Sequence, residues 1–200
     1  MEKLILDKFD TWINGLGDKE ARIAVFEKIR DIPYYLVPQM DNPLEWASSI
    51  LENNKGSCSP KHYLLGFLFG KLGIPVKYAT FGFNWDKQKI SYNTQLKQFV
   101  QGLPRGYHVA CKAFINEKWV LVDATWDIAL KKYSFPVNLN WDGFADTLNA
   151  VNPAEEIVHN SLEERINFAK AKRALWSDAD RINYAKFVEA LNQWLESLRK

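Results

Sequence analysis

Cysteine is scarce: Cys58 and Cys111 are the only two in 200 residues. Two cysteines do not make a disulfide framework, so nothing points to an oxidising compartment. The three histidines (His62, His108 and His159) show no CxxC, HxxxH or HExxH spacing with each other or with the cysteines. A zinc site, and a cofactor generally, is therefore not expected. Charge of one sign is missing too. Lys and Arg total 26 against 24 Asp and Glu, a net +2 with no basic run, which argues against a nucleic-acid partner. Long apolar runs are absent as well. Tyr63 to Phe69 is soon followed by Lys71, Gly73 and Pro75, well short of the roughly 20 residues that span a bilayer. Leu4-Ile5-Leu6 gives way at once to Asp7 and Lys8, leaving no leader-like core. The expectation is a cytoplasmic protein with no membrane partner.

What is present belongs to a globular protein: 47% hydrophobic and 14% aromatic residues, enough for one sizeable core. A single domain over residues 1–200 is expected. Helices are expected over residues 2–14, from Asp18 to the stop at Pro33, and from Pro43 to Glu52. Asn53-Asn54-Lys55-Gly56 then breaks the chain. Ser57 or Ser59 can cap the next helix, Pro60 suits its first turn, and Tyr63 to Leu72 is apolar on nearly every side, so this helix belongs at the centre of the core. Gly66 and Gly70 would let another backbone lie close to it. Strands are expected at Val76 to Phe83, at Lys89 to Tyr92, and as a hairpin, Tyr107–Ile115 and Lys118–Trp126, around Asn116-Glu117. A short helix at Thr94–Val100 falls between. After Asn152-Pro153 the pattern turns helical, with Ser161 capping one helix and Ser177 opening another that aligns Tyr184, Phe187, Leu191, Trp194 and Leu198. Residues 152–200 read as a helical hairpin packed on the core.

Chemistry concentrates at Cys58. A cysteine at a helix N-terminus beside a histidine has its thiolate favoured, and the first-turn amides have no intrahelical partner, leaving them free to hold an oxyanion. Gly56, lacking a side chain, would let a substrate approach. If Asn116-Glu117 forms a two-residue loop, Ile115 pairs with Lys118. Asp123 then becomes a diagonal neighbour of His108 on the same face, within reach of a His–Asp hydrogen bond. The same parity puts Cys111 on the opposite face with Val109, Val120 and Val122, as an inert core residue. His62, four residues from Cys58, reads as packing or pocket lining, and Lys61 as a solvated charge.

Gly56-Ser57-Cys58 with its apolar helix and Leu72-Gly73-Ile74-Pro75-Val76, Tyr107-His108-Val109-Ala110, and Trp119-Val120-Leu121-Val122-Asp123-Ala124-Thr125 together resemble the nucleophile, histidine and aspartate segments of transglutaminase-like proteins. Ile29 to Tyr35 is similar to that family's upstream stretch. The resemblance covers roughly residues 20 to 145. It implies an α+β, papain-like/transglutaminase-like core with the nucleophile helix packed on an antiparallel sheet. It also implies cysteine-based acyl transfer or amide hydrolysis through a thioester, with Cys58 as nucleophile, His108 as base and Asp123 orienting that base. The residue after Cys58 is Ser59, where cross-linking members of the family usually carry Trp. Neither the CxxC pairs of eukaryotic peptide N-glycanases nor a calcium loop is present.

Gly56, Ser57, Trp119 and Trp141 are expected at the substrate; Tyr34, Tyr35, Trp46 and Trp85 are candidates for further cleft walls, although aromatics at such density are more often core, and Tyr35 or Trp46 would supply a second oxyanion donor. The implied partner is a peptide or protein substrate with a glutamine-type carboxamide or peptide amide, and the C-terminal helices offer a surface for a second copy. The alternative is a binding or scaffold protein that keeps the fold without turnover.

Overall fold

The chain folds around α4 (Cys58–Lys71), nine of whose fourteen residues are buried. A computed structural model describes residues 2–200. Preceding α4 are α1 (Glu2–Ile13), α2 (Asp18–Arg30) and α3 (Pro43–Asn53). Asn42 accepts the Leu44 and Glu45 amides and so caps α3, satisfying donors that a helix start otherwise leaves open. Helix α4 stops at Gly73, whose φ of +74° is the left-handed value that glycine adopts without strain. The Ile74 amide closes the turn onto Phe69 O. Gly66 admits the Tyr78 hydroxyl against the helix, so a tyrosine side chain rather than a backbone makes the close approach. Nothing lies within 4 Å of the Cβ position at Gly70.

Four antiparallel strands follow: β1 (Val76–Phe83), β2 (Gly106–Ile115), β3 (Lys118–Val122) and β4 (Glu155–His159), in the order β3-β2-β1-β4. Helix α5 (Thr94–Val100) lies between β1 and β2, and α6 (Leu162–Ala174) and α7 (Asp178–Ser197) close the chain. The hairpin register is the expected one, Ile115 opposite Lys118 through Cys111 opposite Val122. Asn116 and Glu117 have φ of 50° and 63°, the positive values of a tight turn whose twist suits a hairpin.

Three expectations need correction. The second hairpin strand ends at Val122 rather than Trp126, because side chains replace the ladder there: Thr147 Oγ1 accepts from the Asp123 amide and His62 Nε2 from the Ala124 amide. Lys89 to Tyr92 is not a strand; Tyr92 is instead buried against Trp194. The segment after Asn152-Pro153 begins with β4, not a helix, and adds to the free edge of β1 with Tyr78 opposite His159.

The core has two large clusters, beside a small one of Ala79, Phe81 and Ala110. One cluster joins α1 to α4 with the inward residues of the hairpin, including Val109, Cys111, Val120 and Val122. The other gathers Trp85, Trp126, Phe135, Phe187, Leu191 and Leu195 beneath α7. The apolar stripe of α7 is thus buried within the chain. Cys58 packs against both clusters. No helix among the described residues is long and apolar enough to cross a membrane.

Candidate active site

Cys58 opens α4 and is partly exposed. Ser57 is the N-cap in extended conformation but makes no side-chain cap hydrogen bond, so the first-turn amides keep their donors. The backbone at Gly56, two residues before Cys58, is fixed by the Tyr35 amide on Gly56 O at 3.1 Å and by its own amide on Pro33 O at 3.0 Å. A Cβ on Gly56 would meet Ile50 Cγ2 at 2.7 Å. The glycine therefore makes room for α3, not for a substrate.

His108, at the start of β2, is 3% exposed and stacks on Phe81. Its Nε2 lies 2.7 Å from Asp123 Oδ2, which leaves Nδ1 uncommitted in the cavity that Cys58 also lines. Asp123 is saturated with donors: the Ala150 amide reaches Oδ2 at 2.8 Å, and the Thr125 amide and hydroxyl reach Oδ1 at 3.1 and 2.6 Å. Burial opposes its charge, but the His108 imidazolium and these bonds hold its pKa well below the usual carboxylate range. Burial likewise opposes charge on His108, yet Asp123 and Cys58 together push it up to about 10. Burial would raise the Cys58 thiol; the His108 side chain, the Val109 backbone and the Arg165 charge bring it below its ordinary value instead. Such a pair favours thiolate and imidazolium.

Two neighbours brace this arrangement. His62 is fully buried, and its Nε2 accepts the Ala124 amide at 3.0 Å, so its proton sits on Nδ1 and is donated to Cys58 O at 2.8 Å. Burial drives its pKa down to about 4, so it stays neutral although Asp123 Oδ1 is 3.6 Å away. Lys61, expected in solvent, is 0% exposed. Its Nζ donates to Arg30 O, Ile32 O and Thr125 O at 2.9, 2.9 and 2.7 Å. Burial lowers its pKa to about 7, but three short donors require all three ammonium hydrogens. It clamps the end of α2, the first turn of α4 and the Asp123–Thr125 segment together.

A cavity of about 450 Å³ opens at Cys58 and His108, lined by Ser57 and aromatics including Tyr34, Trp46, Trp85 and Tyr184. Trp46 Nε1 is buried there without a partner. Arg165 of α6 lines the same cavity, a residue that the sequence, with its run of charges in a capped helix, gave no reason to single out. Trp119 and Trp141 are elsewhere. Trp119, 40% exposed on edge strand β3, packs on Phe114 under Lys77. Trp141 is in the core against Phe26 and Phe69, with its indole bonded to Ala145 O. Cys111 is fully buried, donates to His62 O, and has its pKa pushed up by burial; it is inert.

No curated protein matches the chain. Among solved structures, a "putative cysteine protease" from Cytophaga hutchinsonii aligns at 17% identity and a TM-score of 0.42. The alignment covers 80% of this chain and 47% of that protein, so the chain spans about half its length. The profile of the transglutaminase-like superfamily matches residues 12–124, which span Cys58, His108 and Asp123 and every element from α2 to β3. That match supports a cysteine-dependent enzyme at the superfamily level. With a central cysteine helix packed on an antiparallel sheet and more than half its length in the match, the chain belongs to the transglutaminase-like superfamily.

Proposed function

We propose that the protein is a cysteine-dependent amide hydrolase or acyltransferase in which Cys58 is the nucleophile, His108 its acid–base partner and Asp123 the residue that orients His108. The observation that carries this reading is one imidazole held by Asp123 through Nε2 at 2.7 Å on the same cavity as a cysteine at the head of a buried helix. A His–Asp pair of this kind fixes the tautomer and supports the imidazolium. The thiolate attacks the carbonyl carbon of a peptide amide or glutamine-type carboxamide. The tetrahedral oxyanion is met by the Cys58 amide and by Trp46 Nε1, the better of the two side-chain candidates because its N–H is unpartnered and the residue lines the cavity. His108 gives its proton to the departing amine, leaving a thioester on Cys58. Water, deprotonated by His108, attacks the thioester and releases the acid; an amine in its place would complete a transfer. Hydrolysis is favoured because Ser59 stands where cross-linking relatives usually carry Trp.

The test is thiol reactivity across pH. Cys58 should react with iodoacetamide at about pH 6 far faster than an ordinary thiol of pKa about 8.5, which is under 1% thiolate there. The sign follows from the thiol's lowered and the imidazole's raised pKa: the ion pair persists as pH falls towards the Cys58 value and is lost only below it. Cys58→Ala should abolish most labelling. Slow labelling, or labelling mainly at Cys111, would favour a binding protein that keeps the fold. Ammonia release from glutamine peptides that depends on added amine would replace hydrolysis by transfer.

A further inference from the structure

Arg165 is an anomaly in the energetics of the molecule. It is 2% exposed, and its one hydrogen bond, Nη2 to Tyr107 O, is long at 3.4 Å. Its Nε and Nη1 are buried without any partner. Among the described residues no carboxylate forms an ion pair with it. A guanidinium cannot escape by losing its proton, and burying an uncompensated charge is strongly unfavourable. Yet the group sits at the wall of the cavity that holds Cys58 and His108, not in a closed core. The rest of that wall has the same sign: Lys172, Arg173 and Arg181 also line the cavity, while Asp41 is its one acidic residue among those described. A cleft of one sign with low-dielectric walls concentrates ligands of the other.

We propose that Arg165 binds a carboxylate of the substrate, so that the cleft selects acidic peptides whose charged group lies close to the amide attacked by Cys58. This rests on the reading of Cys58 as nucleophile and adds the substrate class to it. A planar carboxylate fits the guanidinium's unused donors, and its arrival supplies the counter-charge that the chain itself does not. Before binding, the Arg165 charge also acts on the Cys58 thiol, so a purely electrostatic role in activating the sulfur must be separable from recognition.

Two alkylating reagents make that separation. Iodoacetamide and iodoacetate both lose iodide to the attacking thiolate, and they differ in that one carries a carboxylate. A change in thiol activation moves both rates together; a carboxylate site moves their ratio. In Arg165→Gln the iodoacetate-to-iodoacetamide rate ratio at Cys58 should fall by about tenfold or more, and Arg165→Lys, which keeps the charge, should retain a large part of it. An unchanged ratio in Arg165→Gln, with Cys58 still labelled by iodoacetamide, overturns the carboxylate site while leaving the nucleophile intact. If wild-type Cys58 resists both reagents, the nucleophile reading fails instead, and the site is read by ligand binding alone. In that case glutarate should raise the melting temperature of Cys58→Ser more than its neutral diamide does, and Arg165→Gln should remove the difference. Equal effects of the two compounds on Cys58→Ser would overturn the site.

Discussion

The two walls of the cleft are built differently. One comes from the stretch covered by the family match and carries Cys58, His108 and Asp123 on α4, β2 and the end of β3. There the His108 imidazole and the Asp123 carboxylate are held by short bonds, with Asp123 taking donors from His108, Thr125 and Ala150. The other comes from α6 and α7, beyond the match, and presents long cationic and aromatic side chains with few ties. Besides the buried stripe of α7, one polar anchor lies far along the chain: Arg199 bonds Asp127 at 2.6 and 3.2 Å and Tyr34 O at 3.0 Å. A rigid wall suits bond-making, and an adaptable charged wall suits choosing what is brought to it. On this view the chemistry belongs to the family and the selectivity to this chain.

That contrast can be broken by experiment. The largest effect is expected inside the rigid wall. Asp123→Asn, which removes the charge steadying His108, should lower amide turnover by roughly 10²–10⁴-fold with the far-UV spectrum intact; a loss under about tenfold would mean that His108 needs no such partner. Next is Lys61→Met, which strands three buried carbonyls. It should destabilise the fold by roughly 3–5 kcal/mol in urea unfolding, and a cost below about 1 kcal/mol would show that water replaces the ammonium. The smallest effect is expected at the anchor of the adaptable wall. Arg199→Ala should cost about 1.5–3 kcal/mol of stability while leaving iodoacetamide labelling of Cys58 near wild-type speed. A collapse of labelling in that variant would show that the two walls act as one unit.

How much of this was legible in the sequence follows the same division. The hairpin register was readable because a two-residue turn fixes the pairing of everything beyond it, and one register puts His108 and Asp123 together. The buried helix was readable from its apolar run between a cap and a glycine stop. Other features depended on partners far away in the chain. Strand β4 carries Glu155 and Glu156, poor strand formers alone, and is made viable by the edge of β1 and by ion pairs with Arg105 and Lys112 at 3.0 and 2.6 Å. Lys61 reads as a surface charge because its three acceptors lie 29, 31 and 64 residues away. Arg165 follows two glutamates in a capped helix and locally resembles any solvated face; only the packing of α6 over the cleft sets it apart. Trp119 and Trp141 misled for the opposite reason, since an aromatic beside a motif is more often packing than a wall.

His62 ties the two halves of the site together. Its ring spans the gap between the Cys58 backbone and the segment that bears Asp123, and its two nitrogens are committed to those two ends. Because it does not titrate in the range where its neighbour gains and loses a proton, it acts as a gauge block. In the proposed cycle the separation it sets would stay constant, and the moving proton would find its donor and acceptor at the same distance on each turnover.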